Sequence, residues 1–142
     1  MLTLAIIKPD ALEAGHGGAI LAHLERDGFK LRAARLVRLS TARAEAFYAV
    51  HRDQPFFRPL VAFMTSGPAL ALALEHEDAV ARLRKVIGAT DPADAEPGTV
   101  RRLYAQSKER NAIHASDSPA TAVREVAFFF SESELTSLAG RA

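Results

Sequence analysis

The chain predicts an α+β fold: a ferredoxin-like βαββαβ sandwich, with a four-stranded antiparallel sheet, helices packed on one face, a helical hairpin insertion and a long loop before the last strand. Three observations predict it. Strand-like and helix-like segments alternate in the order β-α-β, two short helices, β-α, long loop, β-α. Glycine or proline punctuates them at Pro9, Gly28, Gly67-Pro68 and Gly88. The 142 residues, 49% hydrophobic, suffice for a single domain over 1–142 with its own core.

Leu2 to Ile7 is a short apolar run with a β-branched end, a largely buried strand stopped by Pro9. After Gly17-Gly18 a helix places Ile20, Leu21 and Leu24 on one face, and Gly28 ends it. Phe29 to Leu39 then alternates, with Phe29, Leu31, Ala33, Val37 and Leu39 inward and Arg35 the exception. Ser40 or Thr41 caps a short helix through Tyr48 and Val50, Pro55 closes it, and a second short helix from about Pro59 carries Leu60, Val61, Phe63 and Met64. Ala69 to Leu74 has helical propensity, but six residues between a Gly-Pro break and an acidic cluster fit a strand. Val80, Leu83 and Ile87 mark a helix closed by Gly88. From Ala89 to Arg110 periodicity is lost, as in a functional loop. Ile113 to Ala115 is a last short strand, and Ser118 to Phe130 a last helix with Val123, Val126, Phe129 and Phe130 as apolar contacts.

Composition removes several classes of chemistry. Lys plus Arg is 18 against 17 Asp plus Glu, so no field of one sign favours nucleic acid or an anionic membrane, and an anion site must be local. With no cysteine there is no disulfide, thiolate nucleophile or Cys-ligated zinc. His16, His23, His51, His76 and His114 show no metal-ligand spacing. Neither a leader pattern nor an apolar run of roughly 20 residues is present, and a cytoplasmic location is expected.

Asn111 through Ser118 is the segment richest in chemistry. It sets His114 among small hydrogen-bonding residues before a helix, which suits an imidazole nucleophile. The same residues also suit a packed histidine followed by an ordinary N-cap, Ser118 with Pro119 at the first helical position. No glycine-rich phosphate loop exists, so side chains must hold any phosphate: Lys8, Arg82, Arg84, Lys85, Thr90, Arg101 and Arg102 are the candidates.

An ordered set of motifs spans nearly the whole chain: Lys8-Pro9-Asp10, Tyr48, Pro55-Phe56-Phe57, Leu60, Ser66-Gly67-Pro68, Gly88, Thr90-Asp91-Pro92, Pro97-Gly98-Thr99-Val100-Arg101, Asn111, His114, Ser116-Asp117-Ser118 and Glu125. Short pieces of it are common; the order is not. The set resembles the nucleoside diphosphate kinase family.

That resemblance implies ping-pong transfer of the γ-phosphoryl of a nucleoside triphosphate to a nucleoside diphosphate through His114, with Mg²⁺ carried on the nucleotide phosphates and no protein metal site. Matching positions imply that Arg84, Thr90 and Arg101 hold phosphates, that Lys8 and Asn111 reach the ribose hydroxyls, and that Lys8 also lies near the transferred group. Tyr48 packs beside His114, Glu125 with Ser116 fixes the imidazole, and Phe56, with Leu60 nearby, takes the base. A stacked base is read by its π-face, so purines and pyrimidines are both accepted. Self-association into a homotetramer or homohexamer built from dimers is also implied, with no membrane or specific nucleic-acid partner. The sequence departs from the family at Ala115, where glycine is usual, at Lys108, where an aliphatic residue closes the base site, and at Arg102 and Leu103. If its position needs φ > 0, Ala115 restricts the backbone there. A second reading of the same residues is a nucleotide-binding regulatory module with weak catalysis.

Overall fold

Leu2 to Ile7 form β1, the strand on which the sheet is built (Leu2–Ile7). In this computed structural model, which describes residues 1–139 and side chains through 136, β1 lies inside the order β2-β3-β1-β4. The other strands are β2 (Lys30–Val37), β3 (Ala69–Glu75) and β4 (Ile113–Ala115). Each neighbouring pair is antiparallel, as the sequence predicts. Thr3 to Ile7 and Ala71 to Leu74 are buried without a break, the pattern of strands covered on both faces.

Helices do cover both faces, where one was expected. Leu4, Ile6, Ala71 and Ala73 pack with Phe47, Phe57, Met64, Val126 and Phe129. These come from α3 (Thr41–Phe47), α4 (Phe57–Met64) and α7 (Pro119–Phe129). Ala5, Ile7, Leu72 and Leu74 pack instead with Ile20, Leu24, Leu83 and Ile87, from α2 (Gly17–Arg26) and α5 (Ala79–Ile87). The unbroken apolar runs carry that information; an amphipathic strand would have alternated.

β2 also departs from the reading of its sequence. A register shift between Leu31 and Ala33 reverses the alternation, as an extra residue in one strand must. Phe29 therefore belongs to the α2–α5 layer, Ala33 and Val37 to the opposite one, and Leu31 is partly and Leu36 largely exposed.

Four helices lie where none was expected or where a loop was. Pro9 starts α1 (Pro9–Glu13) at its first position, where its missing N–H costs nothing. In the long loop, Asp91 caps a 3₁₀ turn at Pro92–Asp94, and Thr99 caps α6 (Val100–Tyr104) by accepting from Arg102 N–H. After Phe130, α8 (Glu132–Ala139) lies against β2, with Arg32 donating to Leu135 O at 2.8 Å. Arg35, exposed but on the same face of β2 as Ala33 and Val37, donates to the Phe129 carbonyl at the end of α7, which explains a cation on that face. Val123, expected to pack, is exposed on α7, while Ala122, Glu125, Val126 and Phe129 form its buried side.

Candidate active site

β4 places the histidine. It pairs His114 with Ile6 of β1, so the side chain shares Ile6's face, the one covered by α3 and α7. Ile113 and Ala115 point to the other layer. The ring meets Phe47 edge-on at 5.4 Å between centroids and Tyr48 at 6.1 Å. Tyr48 was expected there from the family likeness. Phe47 was not, because a phenyl side chain in a short helix carries no signal that sets it apart from core.

From the other side α7 supplies a carboxylate. Ser118 caps that helix by accepting from Thr121 N–H at 3.1 Å, and two turns later Glu125 is buried beneath the sheet edge. One of its oxygens, Oε1, lies 2.8 Å from His114 Nε2 and accepts from Ser116 Oγ at 2.7 Å. A carboxylate can only accept, so Nε2 must carry the proton and Nδ1 keeps its lone pair. Burial, and then the charge of Glu125, push the Tyr48 hydroxyl well above its ordinary range. It stays a protonated donor, and Oη has no hydrogen-bond partner among the described residues.

A second cluster gathers cations. Lys8, at the end of β1, donates from Nζ to Asn111 Oδ1 at 2.8 Å, and Asn111 Nδ2 reaches Thr90 O at 3.4 Å. Arg101 donates to Gly88 O at 3.0 Å and to Ile113 O at 2.8 Å, which ties α6 to the residue before the histidine. Gly88 has φ +89, and a Cβ there would meet Thr99 Oγ1 at 2.6 Å. Only glycine both turns the chain after α5 and lets α6 come this close.

The charges in this cluster are not balanced. Burial first, then Arg101, lower the Lys8 ammonium to about 8, with Asp10 pulling the other way. Burial first, then Arg84, lower Arg101 to about 10. Cations held close enough to depress one another define a site for a polyanion, because an anion removes their repulsion. Arg101 Nε is buried with no hydrogen-bond partner among the described residues.

Arg84 and Thr90 are exposed beside this cluster, at the end of α5 and just after it. Arg82 is instead paired with Asp27 at 3.2 Å, and Arg102 donates to Ala95 O. Phe56 and Leu60 lie at the start of α4. Phe56 is 47% exposed and its ring contact is with His51 at 5.2 Å; no hydrogen bond or ring contact joins it to the histidine among the described residues. Ala115 sits in β4 without positive φ; the left-handed residue of this segment is Ala112, at φ 74.

A family model for nucleoside diphosphate kinase matches residues 2–135. The chain belongs to the nucleoside diphosphate kinase family. Nucleoside diphosphate kinases of Sorangium cellulosum and Halorhodospira halophila are 55% and 53% identical to it, over 94% and 95% of this chain and 92% and 96% of theirs. The solved Aquifex aeolicus nucleoside diphosphate kinase superposes with a TM-score of 0.92 at 46% identity, covering 94% of this chain and 96% of that one. The Halobacterium salinarum nucleoside diphosphate kinase, solved in complex with CDP, gives 0.91 at 40% identity, covering 94% and 90%. The kinase is thus a phosphotransferase on the fold that its sequence predicts. Among the described residues no helix is long and apolar enough to cross a membrane.

Proposed function

We propose that this kinase moves the γ-phosphoryl of a nucleoside triphosphate, typically ATP, to a nucleoside diphosphate by a ping-pong route through a phosphohistidine at His114. The observation that carries the proposal is the Glu125 contact at Nε2, which leaves Nδ1 as the nucleophile. Nδ1 attacks the γ-phosphorus and an N–P bond forms. The bond from γ-phosphorus to the β–γ bridging oxygen breaks, and the electron pair leaves with the nucleoside diphosphate. An incoming diphosphate then takes the group by the reverse steps. Such transfer needs in-line placement and charge stabilisation more than further covalent chemistry.

Lys8, Arg84, Thr90 and Arg101 would hold the phosphates, and Lys8 with Asn111 the ribose hydroxyls. Mg²⁺ belongs to the nucleotide substrate and offsets phosphate charge. The cationic donor set suits that division, since Lys and Arg side chains bind phosphate oxygens and repel a metal ion. A regulatory binding module would have no use for a histidine held by Glu125, a carboxylate steadied in turn by Ser116. The test is to incubate the protein with γ-labelled ATP and Mg²⁺, then add CDP. Acid-labile, base-stable label that CDP discharges as CTP is expected; nucleotide binding without label would favour the module.

Two further outcomes follow from the cation cluster and the exposed ring. Since Lys8 of the free enzyme loses its proton near pH 8, kcat/KM should fall as pH rises through that value. A flat profile there would remove the ammonium from the binding step. Phe56→Ala should raise KM for every nucleotide by roughly 5- to 100-fold, the worth of one stacked base, with kcat less affected. An effect confined to purines would mean that base edges are read.

Self-association into a homotetramer or homohexamer built from dimers is part of the proposal. Supporting it, the edge strand β2 leaves Leu36 66% exposed, and unpaired strand edges with apolar residues invite a partner. Light scattering measures the assembly directly.

A further inference from the structure

Ala112, two residues before the histidine, is the one non-glycine residue with positive φ among the described residues, at 74°, and it is fully buried. Ile113 N–H donates to Asn111 O at 2.9 Å across it. A three-residue turn of this hand is rare and strained, and persists only where surrounding bonds force it. The forcing bonds come from the other end of the chain. Lys8 N–H donates to Ala112 O at 2.9 Å, and Asp10 Oδ2 accepts from Ala112 N–H at 3.0 Å.

Asp10 is 2% exposed, and its Oδ1 has no hydrogen-bond partner among the described residues. The nearby Lys8 ammonium offsets part of its charge, yet a buried carboxylate with one oxygen unpaired still costs more than an apolar residue of its size would. An acid in the first turn of α1 would ordinarily do no more than complement the helix dipole. This one spends its bond on a residue 102 positions away.

We infer that Asp10 is a positioning residue for phosphoryl transfer: its carboxylate holds the strained turn at Ala112, and so sets Asn111 and His114 in place. The inference rests on the reading of His114 as the phosphorylated residue. Without the acceptor, Ala112 relaxes toward negative φ and the peptides on either side of it rotate. Asn111, which meets the Lys8 ammonium, and His114, two residues on, then leave their alignment.

The test compares steady-state kinetics of wild type, Asp10→Ala, Ala112→Gly and the double variant, each with its melting curve. Asp10→Ala should lose roughly tenfold in kcat, the scale of one strained residue's penalty, with KM changed less. The double variant should regain most of that loss, because glycine takes this φ without strain and no longer needs the carboxylate. Should Asp10→Ala fail to fold, Asp10→Leu, which keeps volume and removes the acceptor, takes its place alone and with Ala112→Gly. A folded double variant no faster than the single one overturns the inference, as does a single variant with undiminished kcat. If wild type itself takes no label from γ-labelled ATP, the reading of His114 falls instead.

Discussion

His114→Ala is expected to take no acid-labile label from γ-labelled ATP, and to exchange phosphoryl between nucleotides at least about 10⁴-fold more slowly than wild type. The size of the loss follows from the role proposed for the residue. In the proposed ping-pong route a chain without its nucleophile has no first half-reaction, and the rings that meet His114 offer no substitute: Phe47 is a hydrocarbon ring and the Tyr48 hydroxyl is held protonated by burial and by Glu125. Nucleotide affinity should survive, because Lys8, Arg101, Asn111 and Phe56 hang from β1, α6, the turn before β4 and α4, and none depends on the imidazole for its contacts. Isothermal titration with a diphosphate separates the two properties. Label on the variant would place the phosphate elsewhere and remove His114 from the mechanism.

The next largest effect belongs to Glu125→Gln, which should slow kcat by about 10²-fold or more while leaving KM nearly unchanged. The substitution keeps size and hydrogen-bonding capacity but alters direction. Glutamate only accepts, and so compels Nε2 to carry the ring proton; glutamine can present its amide NH₂ to Nε2 instead, which moves the proton to Nδ1 and occupies the attacking lone pair. The carboxylate also offsets the positive charge that the ring gains as the N–P bond forms, and an amide does not. Ser116 donates to the same oxygen, so it steadies the carboxylate rather than the ring. Single-turnover labelling measures the step itself. A rate equal to wild type would show that the ring needs no such partner.

Most of this site can be read in the chain because its residues are polar, spaced in a specific order and tied to motifs. His114, Glu125 and Ser116 meet within hydrogen-bond distance, as do Lys8 and Asn111. What was not legible was the part played by residues with an ordinary second use. Phe47 reads as core, and Asp10 as one letter of a motif before a helix. Arg82 and Arg102 stood among the phosphate candidates because a guanidinium looks the same whether it meets a phosphate, Asp27 or the Ala95 carbonyl. In the fold, the strands followed from their apolar runs, but α1 and α6 were hidden because five residues carry too little periodicity. The bulge in β2 was hidden too: alternation predicts faces only while the register is unbroken.

The strand order has a consequence for the chain as it is made. β1 leaves the ribosome before the strands it joins, yet lies between β3 and β4, and its hydrogen bonds wait for residues 69–75 and then 113–115. Contacts so distant in sequence are slow to form. Lys8, at the end of that strand, is thus made well before the residues that come to surround it, and a chain arrested before Ile113 holds an apolar strand with one edge unpaired, a target for chaperones rather than for nucleotides.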